Sequence, residues 1–245
     1  MILVEWTQFL IVGLAVLLAA TVHAGTGFGY AIVTMSLLPL VMPFHTAAAV
    51  EAITVCLLST ILLFRLRKHI RLRILIWPLI GAAVFMPLGI NTMMGSTDPF
   101  MRRLLGGLLL LLCVYSMFFG DKLRVRPSRA NGLIAGVISG FVGGMFNIAG
   151  PFLTIYFISV TEEKGEYSAA LQGIFAIMAP YQVLLHFLWG NVTVQTLWFS
   201  AVAVFGVVIG SVLGFIVFQK LAMPQLKRLV FCIMAVVGVY FVLGG

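Results

Sequence analysis

A chain of 245 residues with 62% hydrophobic and only 9% charged side chains lacks the polar surface of a water-soluble domain, where about 25% of residues are charged. Lipid is therefore the solvent for most of its exterior. The formal charge of +8 sits in short loops between apolar runs, so it reads as an orientation signal and not as a nucleic-acid-binding face.

Apolar runs occupy 5–23, 27–43, 47–64, 74–94 and 101–120, then 130–145, 149–160, 167–188, 193–217 and 226–244. A spanning helix needs about 20 apolar residues, and the third, fourth and fifth runs of each set approach that length. The first two runs of each set are less regular. In the second set they are short and meet at Gly143-Gly144-Met145-Phe146-Asn147-Ile148-Ala149-Gly150-Pro151; the matching stretch in the first is Ala24-Gly25-Thr26-Gly27-Phe28-Gly29. Each pair is either two short crossings or a re-entrant hairpin whose glycine-rich tip stops inside the bilayer. The chain starts Met-Ile-Leu-Val-Glu without a basic stretch, and its first apolar run belongs to the pattern, so a cleavable leader is not expected.

The two sets are one pattern written twice. At an offset of 121, Gly29 falls on Gly150, Ala48 and Ala49 on Ala169 and Ala170, Glu51 on Gln172, and Gly89 on Gly210. A four-residue insertion then shifts the offset to 125, where Pro99 meets Pro224 and Tyr115 meets Tyr240. Basic residues give the orientation. Arg65, Arg67, Lys68, Arg71 and Arg73 crowd one link, and Lys122, Arg124, Arg126 and Arg129 another, while the counterpart of the first link, around 186–194, has no Lys or Arg. Basic loops stay cytoplasmic, so equivalent loops lie on opposite sides and the halves are inverted. The reading is an all-α polytopic membrane protein: a first membrane repeat over 1–121, a basic cytoplasmic linker over 122–129 and a second repeat over 130–245, with about five hydrophobic segments each and both termini outside. Arg102 and Arg103 then fall near an outer boundary, against the trend.

Duplicated inverted halves are a transporter architecture. Irregular backbone in hydrocarbon must be buried in protein or line a wet cavity, and it exposes N–H groups at half-helix starts that suit anions. The breaks at 24–30 and 143–151 are therefore candidate anion-binding tips, with Gly25, Gly27, Gly29 and Gly150 giving close backbone approach and His23, Thr26 and Asn147 as side-chain donors. The evenly spaced Gly132, Gly136, Gly140 and Gly144, and Gly206, Gly210 and Gly214, read instead as helix contacts. Glu51 is the one charged residue well inside an apolar run. A carboxyl there is costly to ionise and suits a group that takes and releases a proton. Its partner in the register, Gln172, can only hydrogen-bond, and Tyr181 follows Pro180 at an expected kink; both join the substrate-binding candidates.

His45, His69 and His186 read as loop or interface residues. Cys56, Cys113 and Cys232 are scattered through apolar runs without metal or disulfide spacing. No metal, cofactor or enzyme motif is expected: there is no Ser/His/Asp set, paired carboxylates or HExxH. The expected partners are a small anion, the bilayer and protons as coupling ion, with homodimerisation left open. A passive anion channel and a non-transporting scaffold subunit stand as alternatives to a carrier.

The glycine breaks with their following runs (Gly25-Thr26-Gly27-Phe28-Gly29 and Leu38-Pro39-Leu40; Asn147-Ile148-Ala149-Gly150-Pro151-Phe152-Leu153), together with the helix starts Thr46-Ala47-Ala48-Ala49 and Ser168-Ala169-Ala170-Leu171, resemble the sulfite exporter TauE/SafE (TSUP) family of anion permeases across essentially the whole chain. The resemblance implies a small multi-span protein of the bacterial inner membrane. Its cargo would be sulfite, sulfonates, sulfoacetate or related organic anions. The family's unbroken glycine run is here reduced to alternating glycines in the first half and Asn-Ile-Ala-Gly in the second.

Overall fold

The computed structural model describes the backbone of residues 2–26, 29–118, 124–218 and 223–244, and the side chains of 6–24, 29–118, 124–214 and 230–244. Every regular element among them is a helix. In chain order these are α1 (Ile2–Thr26), α2 (Tyr30–Leu37, extended by a 3-10 turn to Leu40), α3 (Phe44–Leu66), α4 (Leu72–Met94), α5 (Asp98–Phe118), α6 (Arg129–Phe146), α7 (Gly150–Val160), α8 (Lys164–Leu188), α9 (Val194–Phe218) and α10 (Met223–Leu243). Within the described residues α1, α3, α4, α5, α8 and α9 are long and apolar enough to cross a bilayer. Their outward faces carry Leu14, Val84, Leu111, Leu188 and Phe205, all exposed, as a lipid-facing surface requires. The chain is a multi-pass membrane protein.

Helix ends are fixed by side chains where backbone donors run out. The Asp98 carboxylate accepts from Phe44 N at 3.0 Å, so the start of α5 caps α3. Ser128 Oγ accepts from Asn131 N at the head of α6. Two further contacts show how the short segments run. Gln8 donates from Nε2 to Val41 O at 3.1 Å, which brings the end of the α2 segment back beside the start of α1. Ser159 Oγ accepts from Val125 N at 2.9 Å, which brings the end of α7 back to the strand of chain that leads into α6. Both pairs are thus hairpins with a long arm and a short one; at 8 and 11 residues α2 and α7 cannot cross on their own.

The hairpins open to opposite ends of the molecule. At one end Arg71 pairs with Glu166, and the Arg129 guanidinium lies over the Trp77 ring. This gathers the basic link, the 124–129 linker and the turn into α8 around the mouth of α6–α7. At the other end are Asp98 with Phe44 and Asn191 with Met94, beside the mouth of α1–α2. The long arms pack across the halves, α1 along α9 and α6 along α4, while α3 faces α8 and α5 faces α10.

Small residues set these contacts. A Cβ on Gly140 would lie 2.5 Å from Ala82 Cα, and one on Gly210 would lie 2.5 Å from Leu17 O. Both glycine stripes are therefore helix contacts, as their spacing predicts. Pro180 does not interrupt α8, which runs unbroken to Leu188.

Candidate functional site

Each hairpin tip requires a backbone that most residues avoid. Gly29, which precedes α2, has φ 111°, open to glycine because it has no Cβ. Asn147 closes α6 at φ 62°, a left-handed conformation that asparagine tolerates better than other residues with a side chain. Its N–H returns to Gly143 O at 2.8 Å, and Gly150-Pro151 then start α7.

The polar side chains at the tips reach across to the opposite half. His23, on the last turn of α1, meets Gln172 of α8, with Nε2 3.3 Å from Oε1. Its Nδ1 accepts from Tyr30 N at 3.4 Å, and Gln172 Nε2 also lies 3.1 Å from the ring Nε2, so the Gln172 amide and the His23 ring are held together. Asn147 makes the reciprocal reach into the first half. Its Nδ2 donates to Ala48 O at 2.8 Å and to Glu51 Oε2. Its Oδ1 accepts from Gln182 Nε2 at 2.9 Å, and Gln182 also donates to Gly143 O. All five side chains are buried. The two crossing pairs use positions 51 and 172, which the 121-residue register superposes.

Between the pairs lies a cavity of about 50 Å³, lined by Gly29–Ile32 from the start of α2, by 148–151 from the start of α7, and by His23, Glu51, Asn147 and Gln182. A space of that size holds a few waters or one small oxyanion. The leading N–H groups of a helix have no intrahelical acceptor; Tyr30 N is engaged by His23 and Pro151 has no N–H, so Ala31, Ile32 and Gly150 supply the helix-start N–H groups along this wall. Glu51 Oε1 is buried and has no hydrogen-bond partner among the described residues. The remaining wall is apolar, with Val55, Met86, Phe175 and Met178; no Lys or Arg lines the cavity among the described residues.

Of the residues singled out from sequence, His23, Gly29, Glu51, Asn147 and Gly150 line this cavity. Gln172 stands behind His23 and holds its ring. Tyr181 is directed elsewhere: its hydroxyl donates to Ala83 O at 3.2 Å, tying α8 to α4, and it is not among the lining residues. Gly25 and Thr26 end α1, with side chains outside the described residues, and Gly27 lies outside them altogether. His186, read from sequence as a loop or interface residue, is fully buried in the last turn of α8, where Nδ1 meets the Asn191 amide at 3.1 Å. Among the described residues no His, Cys, Asp and Glu cluster could hold a metal ion.

Gln182 and Tyr30 were missed by sequence reasoning. Gln172 was singled out as the register partner of Glu51, whereas Gln182 has no such partner and its signal was only that of an amide inside the apolar run 167–188. Tyr30 had none beyond following Gly29; its hydroxyl donates to Thr54 Oγ1 at 2.6 Å and pins α2 to α3.

The family described as Sulfite exporter TauE/SafE matches residues 12–241. A curated relative from Cupriavidus necator, named Probable sulfite/organosulfonate exporter TauE, is 26% identical over 211 residues, covering 83% of this chain and 82% of the relative. No solved structure matches the chain.

Proposed function

We propose that this chain, which belongs to the sulfite exporter TauE/SafE family, is a secondary transporter that exports a small sulfur-containing oxyanion or sulfonate across the bacterial inner membrane by alternating access, with proton coupling at Glu51. One observation carries the reading: two helix starts from opposite hairpins and an unpartnered carboxyl oxygen line the same buried cavity. Helix starts hold positive partial charge where their N–H groups are free, which favours an anion. A protonated Glu51 adds an O–H donor from Oε1, whereas an ionised one repels the ligand. The proton and the anion therefore occupy the site together.

The cargo class follows the relative, whose name specifies sulfite and organosulfonates. Alternating access is supported by the hairpins opening to opposite ends and by the exchange of helix partners, α1 with α9 and α6 with α4. Both are what inverted repeats around one central site require.

Counterflow tests the reading. Proteoliposomes holding the full chain and loaded with unlabelled sulfite should transiently accumulate labelled sulfite from a dilute external pool. Flux without accumulation indicates a passive pore, and no flux at all indicates a scaffold.

A further inference from the structure

We infer that this site accepts singly charged oxyanions whose remaining substituent is apolar or a lone pair, such as hydrogensulfite or a short alkanesulfonate, and rejects dianions of the same size. The inference rests on the transport reading above and narrows its substrate class. It begins with a count of charge. Each helix start contributes roughly half a unit of positive charge, so the starts of α2 and α7 together balance about one negative charge. Nothing else among the described lining adds to them: no Lys or Arg is present. The adjoining residues 25–28 are Gly, Thr, Gly and Phe, without an ionisable side chain. His23 has both ring nitrogens engaged, by Tyr30 N and by Gln172. Glu51 offers at most a neutral O–H.

The donors among the described lining residues are also few. Backbone N–H groups at the two tips and Glu51 Oε1 can serve the oxygens of one sulfo group. Val55, Met86, Phe175 and Met178 supply no donor, so an oxygen turned toward them loses its hydrogen bonds to water without replacement. A methyl group or the lone pair of a pyramidal sulfur loses nothing there. Sulfate, with a fourth oxygen and a second charge, fails on both grounds. A carboxylate-bearing sulfonate such as sulfoacetate fails on charge.

Methanesulfonate and sulfate form the test pair, because both are tetrahedral and of closely similar size. In proteoliposomes containing the full chain, each competes with labelled sulfite exchange at one pH. Methanesulfonate should compete, and sulfate should be weaker by at least about a hundredfold, since its second charge stays buried without a partner. Met178→Lys, which places a cation in the apolar wall, should narrow that gap by raising competition from sulfate. Sulfate competing within a few-fold of methanesulfonate on the parent protein overturns charge selection while leaving transport standing. Absence of saturable exchange for every anion overturns the transport reading and this inference with it.

Discussion

Glu51→Gln separates the two jobs assigned to one side chain. In the parent, Oε2 is held by Asn147 and Oε1 has no partner among the described residues, so the proton that matters sits on Oε1. A glutamine of the same shape keeps a carbonyl for Asn147 and turns its NH2 toward the cavity, which fixes the protonated form. Raising the pH in the parent removes the Oε1 proton and puts a charge against the ligand. Once the empty site has lost its proton, affinity should fall about tenfold per pH unit, or about 1.4 kcal/mol per unit, as one linked proton dictates. In Glu51→Gln the slope should be flat, with affinity close to that of the parent at low pH. Calorimetric titration of methanesulfonate into protein in nanodiscs measures this directly, because the ligand keeps its charge across the range and any pH dependence belongs to the protein. Among the described residues the other titratable side chains lining the cavity are His23 and Tyr30. His23→Gln should leave the parent slope in place. A Glu51→Gln protein that still loses affinity tenfold per unit refutes the assignment and moves the proton to one of those two groups.

Two substitutions test the scaffold. Asn147→Ala removes the amide that satisfies Ala48 O, Glu51 Oε2 and Gln182 and forces alanine into the left-handed region. Asn147→Gly removes the amide alone, so in chemical or thermal unfolding it should be the less damaging by about 1 kcal/mol, the cost of a Cβ at that backbone angle; equal losses would show that the backbone is not strained. Gly140→Ala places a methyl against Ala82 and should destabilise the protein by about 1–3 kcal/mol through overpacking of α6 on α4. Gly107→Ala, where nothing lies within 4 Å of the added carbon, should stabilise slightly, by about 0.5–1 kcal/mol. A thermal-shift series in detergent gives both signs.

Much of this site was legible in the sequence because polar residues in apolar runs are expensive and therefore few. Glu51, Asn147 and His23 all stood out on that ground, and all three line the cavity. The glycine stripes were legible through their spacing, since small residues four apart make one helix face. Tyr181 misled for a physical reason: a buried hydroxyl is satisfied by any nearby carbonyl, and Ala83 on α4 supplied one. Which polar residues would meet was not legible. Contacts between residues 149 and 96 apart in the chain leave no local trace, and the 121-residue register conceals the match between the tips. Gly13 meets Val202 just as Val137 meets Gly81. In the long arms the two halves are thus related by three residues more than in the 121-residue register, which places His23 opposite Asn147 instead of Gly144. Gly29 follows His23 by six residues and Gly150 follows Asn147 by three, so the register recovers at Gly29 and Gly150.

The crossed pairing at the tips makes each half the keeper of the other's clasp. Gln172 grips a histidine that it does not share a hairpin with, and Glu51 is gripped by an asparagine from across the molecule. Any displacement of one half as a body would strain both grips together, so the two tips cannot part independently. Cutting the chain between the halves would leave two fragments, each with an unfastened tip and an idle polar group, until they found one another.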